Sequence, residues 1–221
     1  MRTHTKTTQD SLTPREALEI LKEGNQRFIN NLRYNRNLLQ QVNETSTGQF
    51  PFAVILSCID SRTSAELIFD QGLGDVFSVR IAGNVLNHDI LGSMEFACAV
   101  AGSKLVVVLG HSKCGAVKGA CSNVKMGHLT GLLDKIQPSV NKVAADNVKL
   151  STEEFVEEVA AENVHRQMEE VLNQSEILSG LFDQGKIGIA GAMYSVETGE
   201  VTFISEMFSG AMATAELEMA A

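Results

Sequence analysis

From residue 52 onward, the chain alternates short unbroken apolar runs with stretches of helical periodicity. The runs "FAVIL", "DVFSVRIA", "KLVVVLG" and "KIGIAGAM" favour β-branched residues and are bounded by glycine or polar turns, as strands are. Consecutive rather than alternate positions are apolar, so both faces of each strand are expected to be covered, as in a parallel sheet. The segments between them predict helices over Asn87 to Ala101, Cys114 to Ser122 and about Leu129 to Val148. A longer helix opens at the capping box Ser151-x-x-Glu154, with the stripe Phe155, Val159, Val164, Met168 and Val171 as its buried face. Near the end, "GAMYSVETGEVTFIS" sets two strand-like runs on either side of Glu197-Thr198-Gly199-Glu200, a hairpin signal that adds an antiparallel C-terminal edge strand. The pattern is α/β: a mostly parallel central sheet flanked by helices.

Ahead of the sheet, residues 1–12 read as a polar N-terminal tail. Thr13-Pro14-Arg15-Glu16 then forms a capping box with proline at the first helical position. The helix that follows, to about Leu32, carries Leu18, Leu21, Phe28, Ile29 and Leu32 at helical spacing, with Gly24 as a weak point. We read residues 13–221 as a single α/β domain: a helical arm over 13–33, a core over 52–206 and a C-terminal tail over 207–221.

Composition narrows the function. A chain of 221 residues with 44% hydrophobic content can bury a real core, and a formal charge of −9 argues against nucleic acid or an anionic membrane as partner. No window reaches the length of apolar sequence that a membrane span requires, and the first residues lack the apolar stretch of a signal peptide, so a cytoplasmic protein is expected. Four cysteines are too few for a disulfide scaffold at this length; in a reducing compartment they read as buried thiols, metal ligands or catalytic groups.

Their positions decide among these. Cys58 ends the first apolar strand, and His111-Ser112-Lys113-Cys114 ends "KLVVVLG". In open parallel α/β sheets the functional crevice lies outside the carboxyl ends of the strands, so Cys58, His111 and Cys114 are candidates to meet there. Two thiolates and an imidazole suit zinc, and three protein ligands leave one position open. That position falls to water or to Asp60. Arg62, two residues on, can pair with Asp60 and keep its carboxylate ionised.

With these residues in place, "CIDSR" and "HSKC" resemble the Cys-x-Asp-x-Arg and His-x-x-Cys signatures of the β-class carbonic anhydrases, over roughly residues 13 to 206. "IFDQGLGDVFSVRIAGN" and "GHSKCGAVKGA" are similar to further stretches of that family. The resemblance implies a zinc-dependent carbonate dehydratase, in which zinc-bound hydroxide reversibly hydrates carbon dioxide to bicarbonate. It implies Cys58, His111 and Cys114 as zinc ligands and Asp60 with Arg62 as the dyad that orients the nucleophile. Gln49, Phe77, Phe96 and Gly115 are implied at the substrate pocket; Phe96 stands where some members carry tyrosine. A homodimer or a homotetramer built as a dimer of dimers is implied as well. Members with a regulatory bicarbonate site use a tryptophan where this chain has Ile55, so that site is not expected even though Arg80 and Tyr194 match its other residues.

Two other functions compete. The same metal motifs occur in similar chains that act on carbonyl sulfide or carbon disulfide, and the thiols alone would suit a non-enzymatic zinc or redox module. Cys98 and Cys121, on helical faces, read as small buried hydrophobes.

Overall fold

The computed structural model describes residues 3–146 and 149–209. Its centre is a five-stranded sheet in the order β2-β1-β3-β4-β5, formed by β1 (Ala53–Ser57), β2 (Val76–Arg80), β3 (Leu105–His111), β4 (Gly188–Tyr194) and β5 (Val201–Met207). β1 lies parallel between β2 and β3, with Ala53 opposite both Val76 and Leu105, and β4 continues the parallel run beside β3. Every residue of β1 and β3 is buried, which is why those runs show no polar alternation. β5 returns antiparallel through the turn at 197–200, Tyr194 opposite Val201, with an irregularity between Gly191 and Ala192. The parallel sheet with an antiparallel edge is thus the architecture the pattern predicts.

Each face of the sheet carries its own cluster. Ala17, Leu18 and Leu21 of the arm helix Pro14–Ile29 pack with Ile68, Phe69, Ile55, Val107 and Leu109 on one side. On the other, Val54, Leu56, Val106 and Val108 meet Ile90, Met94, Val164, Met168 and Leu178, from the helices His88–Glu95, Thr152–Gln174 and Glu176–Asp183. A third cluster, including Val85, Val117, Leu133, Ile136, Val159 and Ala160, closes around Cys58 and Cys114 at the carboxyl ends of β1 and β3.

Both capping boxes form, Thr13 with Glu16 and Ser151 with Glu154. The arm helix stops at Ile29 rather than Leu32: Asn31 adopts φ 54° and the Leu32 amide turns back onto the Arg27 carbonyl, so Leu32 ends 70% exposed. Gly24 is not a weakness but a fit, since a Cβ there would lie 1.8 Å from the Phe69 carbonyl oxygen. Residues 6–11, expected within a polar tail, form the helix Lys6–Ser11, capped by Thr5. Gln9 docks it, fully buried, with its amide nitrogen donating to the Pro51 and Ala101 carbonyls. The segment expected as one helix from about Leu129 to Val148 is two, Gly127–Leu133 and Gln137–Ala145, because Pro138 fits only a first turn and so starts a new helix; residues 147 and 148 lie outside the described residues. So do residues 210–221 of the expected C-terminal tail.

Candidate metal centre

β1 ends at Ser57 and β3 at His111, neighbours in one parallel sheet, so the turn after each opens on the same edge. The ligand atoms of Cys58, His111 and Cys114 all lie within 4.8 Å of one another, and the three residues are buried. His111 Nδ1 lies 2.9 Å from the Ser112 carbonyl, to which it donates, leaving the buried Nε2 without a partner. An unpartnered imidazole nitrogen between two sulfurs is costly to bury unless something is bound there. The donor set fits a metal ion.

The two thiols share one proton. Cys114 hydrogen-bonds Cys58, and with His111 and the Gly83 amide it brings the Cys58 thiol down to about 4. Cys114 is pushed up, first because its proton is held in the hydrogen bond to Cys58, then by burial and by the charge of the Cys58 thiolate. Burial disfavours charge on His111, yet the closeness of the Cys58 thiolate outweighs it and raises the imidazole's pKa.

The turn after β1 is tied at several points. Asp60 Oδ1 accepts from the Arg62 backbone amide at 3.0 Å and from Nε at 2.9 Å, and Oδ2 accepts from Nη2 at 2.8 Å. This fork holds the Asp60 carboxyl well below the usual carboxylate range. Arg80 donates to the carbonyls of Cys58 at 3.0 Å and Asp60 at 2.6 Å, so its guanidinium clamps the turn. Thr63 Oγ1 donates to the same two carbonyls.

Cys58 and Asp60 open on a cavity of about 390 Å³ lined also by Ala82, Gly115, Ala116, Gly119, Val124, Leu129 and Leu133. Its wall is almost wholly apolar, and Gly115 leaves open space where a side chain would stand.

Three expected residues do not join this cavity within one chain. Phe77 sits on β2 opposite Val54, three residues before the carboxyl end of the strand, and stacks edge-on against Phe96 at 6.3 Å in a separate groove beside the helix His88–Glu95. Gln49 lies in the loop before β1, near Gly74. Gly83, Asn163 and Gln167, for which no role was expected, connect to Cys58 through a run of hydrogen bonds. The sign available for the last two was a pair of amides four apart on the apolar face of a long helix.

Among known families, the one described as carbonic anhydrase matches residues 53–201. The chain belongs to the β-class carbonic anhydrases. Carbonic anhydrase 2 of Mycobacterium tuberculosis is 36% identical over 192 residues, 84% of this chain and 90% of that protein. The carbonic anhydrase of Mycolicibacterium smegmatis is 34% identical, covering 88% of this chain and 95% of its own length. Among solved structures, the β-carbonic anhydrase CcaA superposes with a TM-score of 0.70 at 28% identity, over 85% of this chain and 95% of that one. The β-carbonic anhydrase CafA of Aspergillus fumigatus gives 0.69 at 28%, over 76% of this chain and 81% of that one. In this carbonic anhydrase the matched region spans β1 to the start of β5, and so takes in Cys58, Asp60, Arg62, His111 and Cys114.

Proposed function

We propose that the chain reversibly hydrates carbon dioxide to bicarbonate and a proton, with zinc held by Cys58, His111 and Cys114. The observation that carries this is the meeting of two sulfurs and an unpartnered imidazole nitrogen beside a carboxylate fixed by arginine. When bound, zinc would supply the Lewis acidity that makes a water-derived nucleophile available, more weakly with two thiolate ligands than at a three-histidine site.

The protein's own residues do the rest. Asp60, kept ionised by Arg62, would accept a hydrogen bond from the nucleophile and orient it; freed from Arg62, its carboxylate would be available to the metal ligands' site instead. Val124, Leu129, Leu133 and Ala116 form an apolar wall suited to a small apolar substrate, and Gly115 leaves room for it at the ligand turn. The released proton leaves through solvent or buffer. Gln49, Phe77 and Phe96 do not line this cavity, and we assign them to the substrate pocket of a neighbouring subunit. Exposed Leu38, Leu39, Val42, Phe96 and Val100 give such a homo-oligomer apolar surface to bury. Among the described residues no helix is long and apolar enough to cross a membrane.

The test is paired metal analysis and stopped-flow hydration of Cys58→Ser and His111→Ala beside the parent protein. Loss of metal and turnover together supports the assignment; either variant hydrating carbon dioxide at the parent rate defeats it.

A further inference from the structure

One residue at the site, Gly83, is held from a distant helix. Gly83 donates its N–H to Cys58 Sγ at 3.4 Å, and its carbonyl accepts from Asn163 Nδ2 at 2.9 Å. Asn163 Oδ1 accepts from Gln167 Nε2 at 3.3 Å, and Gln167 Oε1 accepts from the Leu86 amide at 2.9 Å. The direction of this chain is fixed by its far end. Leu86 N–H can only donate, so Gln167 must present its oxygen there, its nitrogen to Asn163, and Asn163 its nitrogen to Gly83.

Both amides are nearly sealed from solvent, Asn163 at 0% and Gln167 at 4% exposure, on the helix face that also buries Val159, Ala160 and Val164. Apolar side chains of similar size would fill that space without the desolvation cost of two primary amides. What the amides add is direction. Gly83 sits at φ 69°, ψ 18°, a conformation that costs glycine little, and the two peptide units that meet at it are each engaged, the N–H of one on sulfur and the carbonyl of the other on the Asn163 amide.

We propose that Asn163 is a positioning residue for Cys58. By fixing the Gly83 carbonyl it restrains the rotation of Gly83 about φ and ψ, and with it the aim of the Gly83 N–H at the sulfur, and Gln167 holds Asn163 in the orientation that does so. The hydrogen bond keeps Cys58 in one rotamer and withdraws electron density from its thiolate, so a cation held there is bound by a preset ligand and stays more electrophilic. The inference rests on the zinc reading above.

The experiment compares the full-length parent with Asn163→Leu and Gln167→Met, neither of which touches a ligand. It measures zinc affinity by chelator competition, the thiolate-to-metal charge-transfer band of the cobalt(II)-substituted proteins, and the Tm of the metal-free forms. Zinc affinity of Asn163→Leu should fall by about 10-fold or more, with a shifted cobalt band and a smaller change in the same direction for Gln167→Met. A lowered Tm with unchanged zinc affinity and an unchanged band would mean that the amides only brace the fold, and would overturn the proposal. If Asn163→Leu does not fold, Gln167→Met decides by the same readouts. A parent protein that binds no zinc would overturn the metal assignment itself, an outcome distinct from variants that bind as well as the parent.

Discussion

Replacing Gly83 by alanine should destabilise the protein through two separable causes. The residue sits at φ 69°, where an L-side chain costs about 1–2 kcal/mol. The new methyl would also lie 2.7 Å from Ile136 Cδ1 and 3.3 Å from Ala116 Cβ. Ile136 is fully buried in the cluster around the site and has no solvent to retreat into, so crowding adds about 1–3 kcal/mol. Together the loss is about 2–5 kcal/mol, and at roughly 2–4 °C per kcal/mol for a domain of this size the Tm should fall by roughly 10 °C. Metal-free protein isolates the fold from ligand binding, and urea denaturation gives the free energy directly. Gly92→Ala is the control: it lies in the helix His88–Glu95 with nothing within 4 Å of the added methyl, so it should gain roughly 0.5–1 kcal/mol. If Gly83→Ala were as stable as the parent, the left-handed conformation and the tight contact with Ile136 would both be wrong.

Arg62→Gln should lower carbon dioxide turnover roughly tenfold with little change in Tm, and Arg62→Lys should fail to restore it because lysine cannot present the two-pronged fork to Asp60; a fully active lysine variant in stopped-flow assays would contradict the role given to the fork. Asp70 lies buried between Arg27, at 2.6 Å, and Arg36, and also accepts from the Tyr34 amide. Burial works against its charge but the two arginines outweigh it, so its pKa lies below the ordinary value. Asp70→Ala should therefore cost about 3 kcal/mol at neutral pH. Because the folded pKa is the lower one, that advantage of the parent is present above the unfolded carboxyl value of about 3.9 and shrinks as the pH falls below it; denaturation at two pH values measures it. Cys98, pushed up to about 12 by burial alone, should resist alkylation in the folded protein, whereas metal-free Cys58, down at about 4, should react wherever reagent can enter; mass mapping of the labelled thiols that finds Cys98 modified first would refute both.

Much of this was legible in the chain. β1 and β3 announce themselves because strands buried on both faces leave no polar positions, and the two capping boxes mark helix starts by residues only a turn apart. Cys58, His111 and Cys114 were readable because each stands where a parallel strand stops, and the topology then leaves one place for them to meet. The helix Leu38–Thr45 was not foreseen: Leu38, Leu39 and Val42 point outward, so its apolar positions mark no core face. Gln9 hid in a polar segment, since a docked amide looks like a solvated one until its two carbonyl partners are in place. The amides at 163 and 167 hid for the opposite reason, as polar breaks in an apolar stripe whose partners at Gly83 and Leu86 are some eighty residues away. Phe77 and Phe96 share a groove of their own, apart from the cavity at Cys58, and no periodicity along the chain marks that separation.

The most direct test of the account is carbon dioxide hydration by one preparation before zinc is stripped with a chelator, after stripping, and after zinc is restored. Turnover that disappears with the metal and returns with one zinc per chain is the predicted result. Turnover that survives complete removal of the metal would contradict the central claim.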